Sequence, residues 1–337
     1  MRLLLICLCV VFVCLTTTPA GAQELPTATA VRALADTIVP QQLDKHHIPG
    51  ALIAVVYDGE VLLATGYGVA NKDSNTPVTQ DSIFRVGSLS KIVTAALIMR
   101  FHAQGKLDLE ADVAELIPDL NLPRRYDGPI NAIHLMTHSA GFDVTDIADA
   151  TRDHTNVIPL RTFVRDHMTP QVFPPGDVFR YTNHGYALLG HMAEVVGKAP
   201  FAEVVHRELF DPLQMRSSSF FQPPPQDLRA RLAVGHTWSE SGGTTTLPMD
   251  YSQVAPADTL VTTAGDMASF MLALLPSRSE EAVPFLPKSA LATMHATHYT
   301  THPALPGRTL GFGEERVGVD RTVLGRRRYL SHTGGQL

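Results

Sequence analysis

Hydrophobic and polar positions change period several times along this chain. Over residues 27–45, Val31, Leu34, Ala35 and Ile38 recur at helical spacing, and Pro40 is expected to kink or end that stretch. Residues 51–57 and 60–65 are β-rich runs parted by Asp58-Gly59, a strong hairpin signal. After the polar loop NKDSNTPVTQDS comes FRVGSLSKIVTAALIMRFHAQG. Its Ile92, Ala95, Ala96 and Met99 predict an apolar helical face, with Gly105 as C-cap. From about 106 to 225, short helical pieces are broken at Ile117-Pro118, Leu122-Pro123, Phe173-Pro174-Pro175-Gly176 and Asp211-Pro212. This region reads as a mostly helical subdomain inserted into a sheet domain. Gly242-Gly243 and the threonines after them read as a loop, and 264–275 as another amphipathic helix. Residues 309–319 and 321–333 read as the strands of a second hairpin. A helix ahead of antiparallel strands points to an α+β fold rather than a doubly wound sheet.

Composition adds limits. With 45% hydrophobic and 18% charged residues, 24 glycines, 24 prolines and a mean hydropathy of +0.04, the 337-residue chain is globular in character. A net charge of −6 supplies no basic field for nucleic acid. All three cysteines, Cys7, Cys9 and Cys14, lie in the first fourteen residues, which leaves no cysteine nucleophile, disulfide framework or zinc-thiolate set in the body. The same stretch reads as a secretory signal over residues 1–22. It has Arg2, an apolar run over 3–15 too short for a comfortable membrane span, and the small-residue site Ala20-Gly21-Ala22. Val13 before Cys14 disfavours a lipid anchor. The expectation is an exported, soluble, monomeric protein, secreted or periplasmic, with 23–337 as its mature domain and no membrane span.

The sharpest chemical pattern is Ser88-Leu89-Ser90-Lys91 at the start of the apolar helix. A serine hydroxyl is a weak nucleophile until a base takes its proton, and a lysine three residues on shares its helical face. The positive end of the helix dipole, and burial beside Ile92 and Val93, both push Lys91 toward the neutral amine that a base requires. The helix end also offers the Ser88 N–H to a developing oxyanion. Alone, S-x-x-K arises by chance about once in a chain of this length. Two further patterns follow in order. Tyr181-Thr182-Asn183 precedes an apolar helical run; a phenol beside an ammonium can titrate low enough to shuttle a proton, and an amide two residues on can hold a substrate carbonyl and the lysine. His332-Thr333-Gly334 closes a predicted strand along which substrate can lie, and the Gly335 N–H can complete an oxyanion pair.

In combination, these motifs resemble the serine β-lactamase and penicillin-binding protein superfamily. Within it the chain is similar to the class C β-lactamase-related branch of D-aminopeptidases, DD-carboxypeptidases, esterases and LACTB-like proteases. The segments IPGALIAVVYDGEVLLATGYGVAN, LMTHSAGF, YTNHGYALLGHMAEVVGKAPFAEVVHRELFDPLQM and LVTTAGDMASFMLALL share that likeness, which runs from about residue 30 to the end. The resemblance implies an antiparallel sheet flanked by helices. It implies Ser88 as acylated nucleophile, Lys91 as activating partner and Tyr181 as proton shuttle, with the Lys91/Tyr181 division of labour open. Asn183 would orient a substrate amide, while His332, Thr333 and Gly334 would face its anionic or polar end. Ser88 and Gly335 would donate to the oxyanion, and no cofactor is implied.

Two departures matter. His332 stands where β-lactamases and many carboxypeptidases have lysine, and a neutral imidazole tilts the expectation from β-lactams toward esters or peptides. Family members also continue past this motif with more strands and a C-terminal helix. The expectation is therefore a fragment of a longer frame or a poorly folding product, with low solubility for 23–337 alone. The rival reading is a catalytically silent module that binds cell-wall peptide or a partner. His134 and His138, and His298 and His302 beside His295, have i,i+4 spacing, but no H-E-x-x-H carboxylate accompanies them and metal is not expected. Gly66-Tyr67-Gly68 lacks the context of a nucleotide site, and Arg326-Arg327-Arg328 reads as a solvated hairpin edge.

Overall fold

The structure is a computed structural model that describes residues 26–275, 285–302, 305, 307–312, 314–317 and 328–335. The expected signal segment with its cysteines, and Arg326 and Arg327, lie outside the described residues.

Helix α1 (Ala28–Lys45) opens on Thr27, whose Oγ1 accepts the Ala30 N–H at 3.2 Å. Pro40 sits inside it without ending it. Pro40 is exposed, so the carbonyl it leaves unpaired one turn back stays hydrated. The stripe facing the sheet is the i,i+4 row Val31, Ala35, Val39 and Leu43; the expected Leu34 and Ile38 are exposed. Strands β1 (Gly50–Tyr57) and β2 (Glu60–Asn71) pair antiparallel from Gly50↔Gly68 to Tyr57↔Glu60, with β3 (Thr76–Pro77) on the far edge of β2. At the turn, Asp58 and Gly59 have φ of 52° and 86°, the backbone that suits a two-residue hairpin.

The chain then runs through β4 (Phe84–Arg85) and a 3₁₀ turn, Gly87–Leu89, into α2 (Ser90–Ala103). The sequence predicts one apolar face on α2, yet it is buried almost all round: Val93, Ala95, Ala96, Leu97, Ile98, Met99 and Phe101 have no exposure. The cause is enclosure by helices from several parts of the chain. After α3 (Val113–Leu116), α4 (Ala132–Met136), β5 (Ala150–Thr151) and α5 (Leu160–His167) comes α6 (Asn183–Gly197), which packs on α2. Beyond it lie α7 (Phe201–Val205) and α8 (Gln226–Arg229). Strands β6 (His236–Ser239) and β7 (Gly243–Thr246) form a hairpin, so the threonines read as loop are strand, in keeping with β-branched residues paired cross-strand. Strand β8 (Tyr251–Ser252) pairs with β5, α9 (Ala255–Asp258) packs on α2 and α6, and β9 (Val261–Thr262) pairs with β4.

Helix α10 (Ala264–Leu274) packs on β1 and β2, and α11 (Lys288–His295) on α2. Of the second expected hairpin, the described residues show β10 (Glu314–Val317) and β11 (Arg328–Ser331), antiparallel with Glu314 opposite Ser331, and residues 309–312 and 332–333 lie outside the strands. One apolar core, running from Val93 to Leu310, joins α2, α4, α6, α7, α10 and α11. The whole is a mixed fold of antiparallel sheets and helices. Among the described residues no helix is long and apolar enough to cross a membrane.

Candidate active site

The start of α2 is held by backbone and hydroxyl bonds on every side. The β4–β9 ladder continues as Val86 N–H donating to Leu260 C=O at 3.1 Å. Ser90 Oγ donates to Gly87 C=O at 2.6 Å and accepts the Leu260 N–H at 3.0 Å, and Thr94 Oγ1 donates to Pro256 C=O at 2.7 Å. Gly87 has φ of 53°, and a Cβ there would overlap the Gly335 carbonyl oxygen. A Cβ on Gly334 would likewise meet the Val86 carbonyl. These two glycines let the end of β11 lie backbone to backbone against the turn that carries Ser88.

Ser88 is half-buried, and two side chains converge on its Oγ: Lys91 Nζ at 3.1 Å and the Tyr181 hydroxyl at 2.8 Å. Lys91 is fully buried, and its Nζ also donates to Asn183 Oδ1 at 2.8 Å and to Ala257 C=O at 3.0 Å. Those two oxygens can only accept, so a neutral Lys91 that donates to both turns its lone pair toward the Ser88 hydroxyl. Burial brings the Lys91 pKa down to about 7, against the opposing pull of Asp258 and Asp146. Burial raises the Tyr181 pKa, and the Ser88 hydrogen bond only partly offsets this. Of the two candidate bases, Lys91 is the one held near neutrality.

His138 braces the corner that presents Tyr181 and Asn183. Its C=O accepts the Arg180 N–H at 2.7 Å, its Nδ1 accepts the Thr182 N–H at 3.2 Å, and its ring lies 4.2 Å from that of Tyr181. Burial holds the imidazole pKa well below its usual value. Thr182 in turn caps α6, with Oγ1 accepting the His184 N–H at 3.2 Å. His138 is thus bound into the site's frame rather than paired with His134. His298 Nε2 lies 2.7 Å from the Thr293 carbonyl. Among the described residues no group of three or more His, Cys, Asp or Glu is arranged around a metal position.

In the third motif, His332 Nδ1 lies 2.6 Å from the Thr333 carbonyl, and burial, Lys91 and Arg308 all lower the imidazole pKa. The ring is therefore neutral near pH 7. Thr333, Gly334 and Gly335 follow exposed on the strand end. The geometry joins Ser88, Lys91, Tyr181 and Asn183 by direct hydrogen bonds and brings Gly334 and Gly335 against the Ser88 turn by close packing.

Several site residues escaped the sequence reading. Ala257 contributes a carbonyl, for which no side-chain signal exists. Asp258, which accepts from Ser252 Oγ at 3.0 Å, has its pKa pushed up to about 6 by burial. Asp149 is 7% exposed and pushed up to about 7 by burial and by Asp146 and Asp258. Arg308 lies over the Phe179 ring at 4.0 Å.

A serine thus stands between a buried lysine and a phenol at a helix start, beside a strand end with close-packed glycines. The beta-lactamase family model matches residues 35–336, and the chain belongs to that family. It is 31% identical to penicillin-binding protein 4 of Amycolatopsis lactamdurans over 57% of this chain and 49% of that protein. It is 30% identical to esterase EstB of Burkholderia gladioli over 59% of this chain and 54% of that protein. The alignments thus span about half the length of each of these two relatives. Among solved structures, the octameric penicillin-binding protein homologue from Pyrococcus abyssi shares the fold. Its TM-score is 0.74 at 24% identity, over 90% of this chain and 68% of that one.

Proposed function

We propose that this protein is an exported, monomeric serine hydrolase that forms an acyl-enzyme on Ser88, with an ester, a peptide or a β-lactam-like amide as substrate. The observation that carries this reading is the convergence of Lys91 Nζ and the Tyr181 hydroxyl on Ser88 Oγ, with Lys91 buried and near neutrality. The Ser88 proton passes to the Lys91 lone pair as Oγ bonds to the acyl carbon. The carbonyl electrons move onto an oxyanion facing the N–H groups of Ser88 and Gly335. Collapse expels the leaving group, protonated through Tyr181, and water then repeats the addition to release the acid. The family supports hydrolysis in general, and one relative bears the name of an esterase. The neutral His332 favours esters and peptides over substrates bound by their carboxylate. The apolar run and small-residue site at the N-terminus support export.

Intact-mass spectrometry after rapid quenching tests this. Wild type treated with a p-nitrophenyl ester, or with a β-lactam, is expected to carry one acyl adduct that Ser88→Ala lacks. A folded wild type that takes no adduct from either reagent replaces the hydrolase with a silent binding module. Turnover of the ester against a chromogenic cephalosporin separates the substrate classes.

A further inference from the structure

Lys91 is gripped from below by a single turn. The four residues of α9 present Pro256 C=O to Thr94 and Ala257 C=O to Lys91 Nζ, and they end on Asp258. The Asp258 carboxylate does not sweep through solvent. Its Oδ2 takes the Ser252 hydroxyl at 3.0 Å, and Ser252 is clamped on both main-chain groups by the Gln222 side chain, at 2.6 and 2.7 Å. Strand β8 adds a second restraint through its pairing with β5, and the Gln253 N–H bonds to Asp149 C=O at 2.8 Å. A carboxylate is thus fixed, one peptide away from a carbonyl that holds the amine, in a part of the molecule with little water.

We propose that Asp258 is a positioning residue that acts on the reaction through Lys91. Its carboxylate favours the ammonium and so sets the pH at which Lys91 becomes free to take the Ser88 proton. The inference rests on the reading of neutral Lys91 as the base.

The other charges around the pair support Asp258 as the controlling one. Facing Lys91 are Asp258 from α9, Asp146 from the loop before β5, and the imidazoles of His138 and His332, both held neutral by burial. The rings of Tyr181 and Tyr186 lie 4.8 and 5.7 Å from Nζ. Asp146 is exposed, so water and salt screen it; Asp258 acts through protein. Facing Asp258 are Lys91, Arg85 of β4, Asp250, Asp149 and Tyr181. Arg85 is engaged by Asp250 at 2.5 Å, which offsets its charge.

The test is kcat/KM against pH for a non-titrating p-nitrophenyl ester, read at the isosbestic wavelength of the product. Wild type, Asp258→Asn, Asp258→Glu and Ser252→Ala are compared, with a thermal melt for each. Wild type is expected to lose activity on the acid side with a midpoint at about 7. In Asp258→Asn that midpoint moves down by on the order of one pH unit, leaving the variant faster than wild type between about pH 6 and 7, where the Asp258 carboxyl is still charged. Asp258→Glu restores the wild-type midpoint. Ser252→Ala, which removes the bond that favours the charged carboxylate, moves the midpoint the same way by less. Folded variants whose acid limbs coincide with wild type overturn the proposal, and Ser252→Ala decides alone if Asp258→Asn does not fold. A wild-type profile with no acid limb removes instead the reading of Lys91 as base, and this inference with it.

Discussion

At His332 the half-buried imidazole is turned toward the Thr333 carbonyl, and desolvation, Lys91 and Arg308 disfavour its protonated form. It therefore brings no fixed charge to the mouth of the site. A lysine at this position keeps its charge near pH 7 and gives a substrate carboxylate a charge-assisted partner, an interaction of about 1.5–3 kcal/mol. His332→Lys is expected to raise kcat/KM on a β-lactam or a D-peptide by about tenfold, with a neutral ester little changed. Unchanged kcat/KM on both charged substrates would contradict the assignment of this strand end to the substrate's anionic side. The spacing of Ser88 and Lys91 was legible because two residues one turn apart must meet. The charge on Lys91 was legible only in direction, since its size depends on how completely other elements exclude water from the amine.

The elements show why the nucleophile stays in place. Helix α2 is enclosed rather than laid on a surface, and the hydroxyl of its first residue, Ser90, bonds both to Gly87 in the preceding turn and to Leu260 at the end of the β4–β9 ladder. Ser90→Ala removes both bonds and leaves the Leu260 N–H buried without its acceptor. The expected cost is about 1–3 kcal/mol, seen as a lower midpoint of urea unfolding with an unchanged slope. An unaltered midpoint would mean that water replaces the hydroxyl. The Asp58-Gly59 hairpin and the Thr27 start of α1 were readable because turn and cap chemistry are local. The all-round burial of α2 was not, because helices distant in the chain supply its surroundings. Strand β7 reads as loop in the sequence because its threonines look polar until their cross-strand partners are known.

Across the whole molecule, the buried acids near the site act against stability. Asp149 is 7% exposed, and neither carboxyl oxygen makes a well-formed hydrogen bond. His184 Nε2 stands 3.7 Å away, and the nearby Asn183 amide only partly offsets the burial. With its folded pKa raised to about 7, the native protein holds this proton over a range, from about pH 4 to 7, in which the unfolded chain has released it. The Asp149 contribution therefore falls as pH climbs through that window. Buried neutral His138 works in the opposite sense, since its depressed pKa weakens the fold as pH drops. Asp149→Asn is expected to melt above wild type at pH 8, with the difference shrinking at pH 5 and vanishing only below about pH 4. Equal melting temperatures at both pH values would show that Asp149 is solvated in the native state.

By itself, the sequence determined what is local and what is ordered along the chain. This covers the hairpin turn, the serine and lysine on one helical turn, and the succession of three motifs that carried the resemblance to the family. Tertiary structure alone decided that the Ala257 carbonyl and Asn183 share the lysine with Ser88, that the Gly335 backbone rests on Gly87, and that the Asp258 carboxylate is held on Ser252 one residue beyond that carbonyl. The physical reason is sequence separation. Lys91 and Asn183 are 92 residues apart and Lys91 and Ala257 are 166 apart, so their contacts leave no period in the chain. The low dielectric that sets the charge on Lys91 exists only once those distant segments close around it.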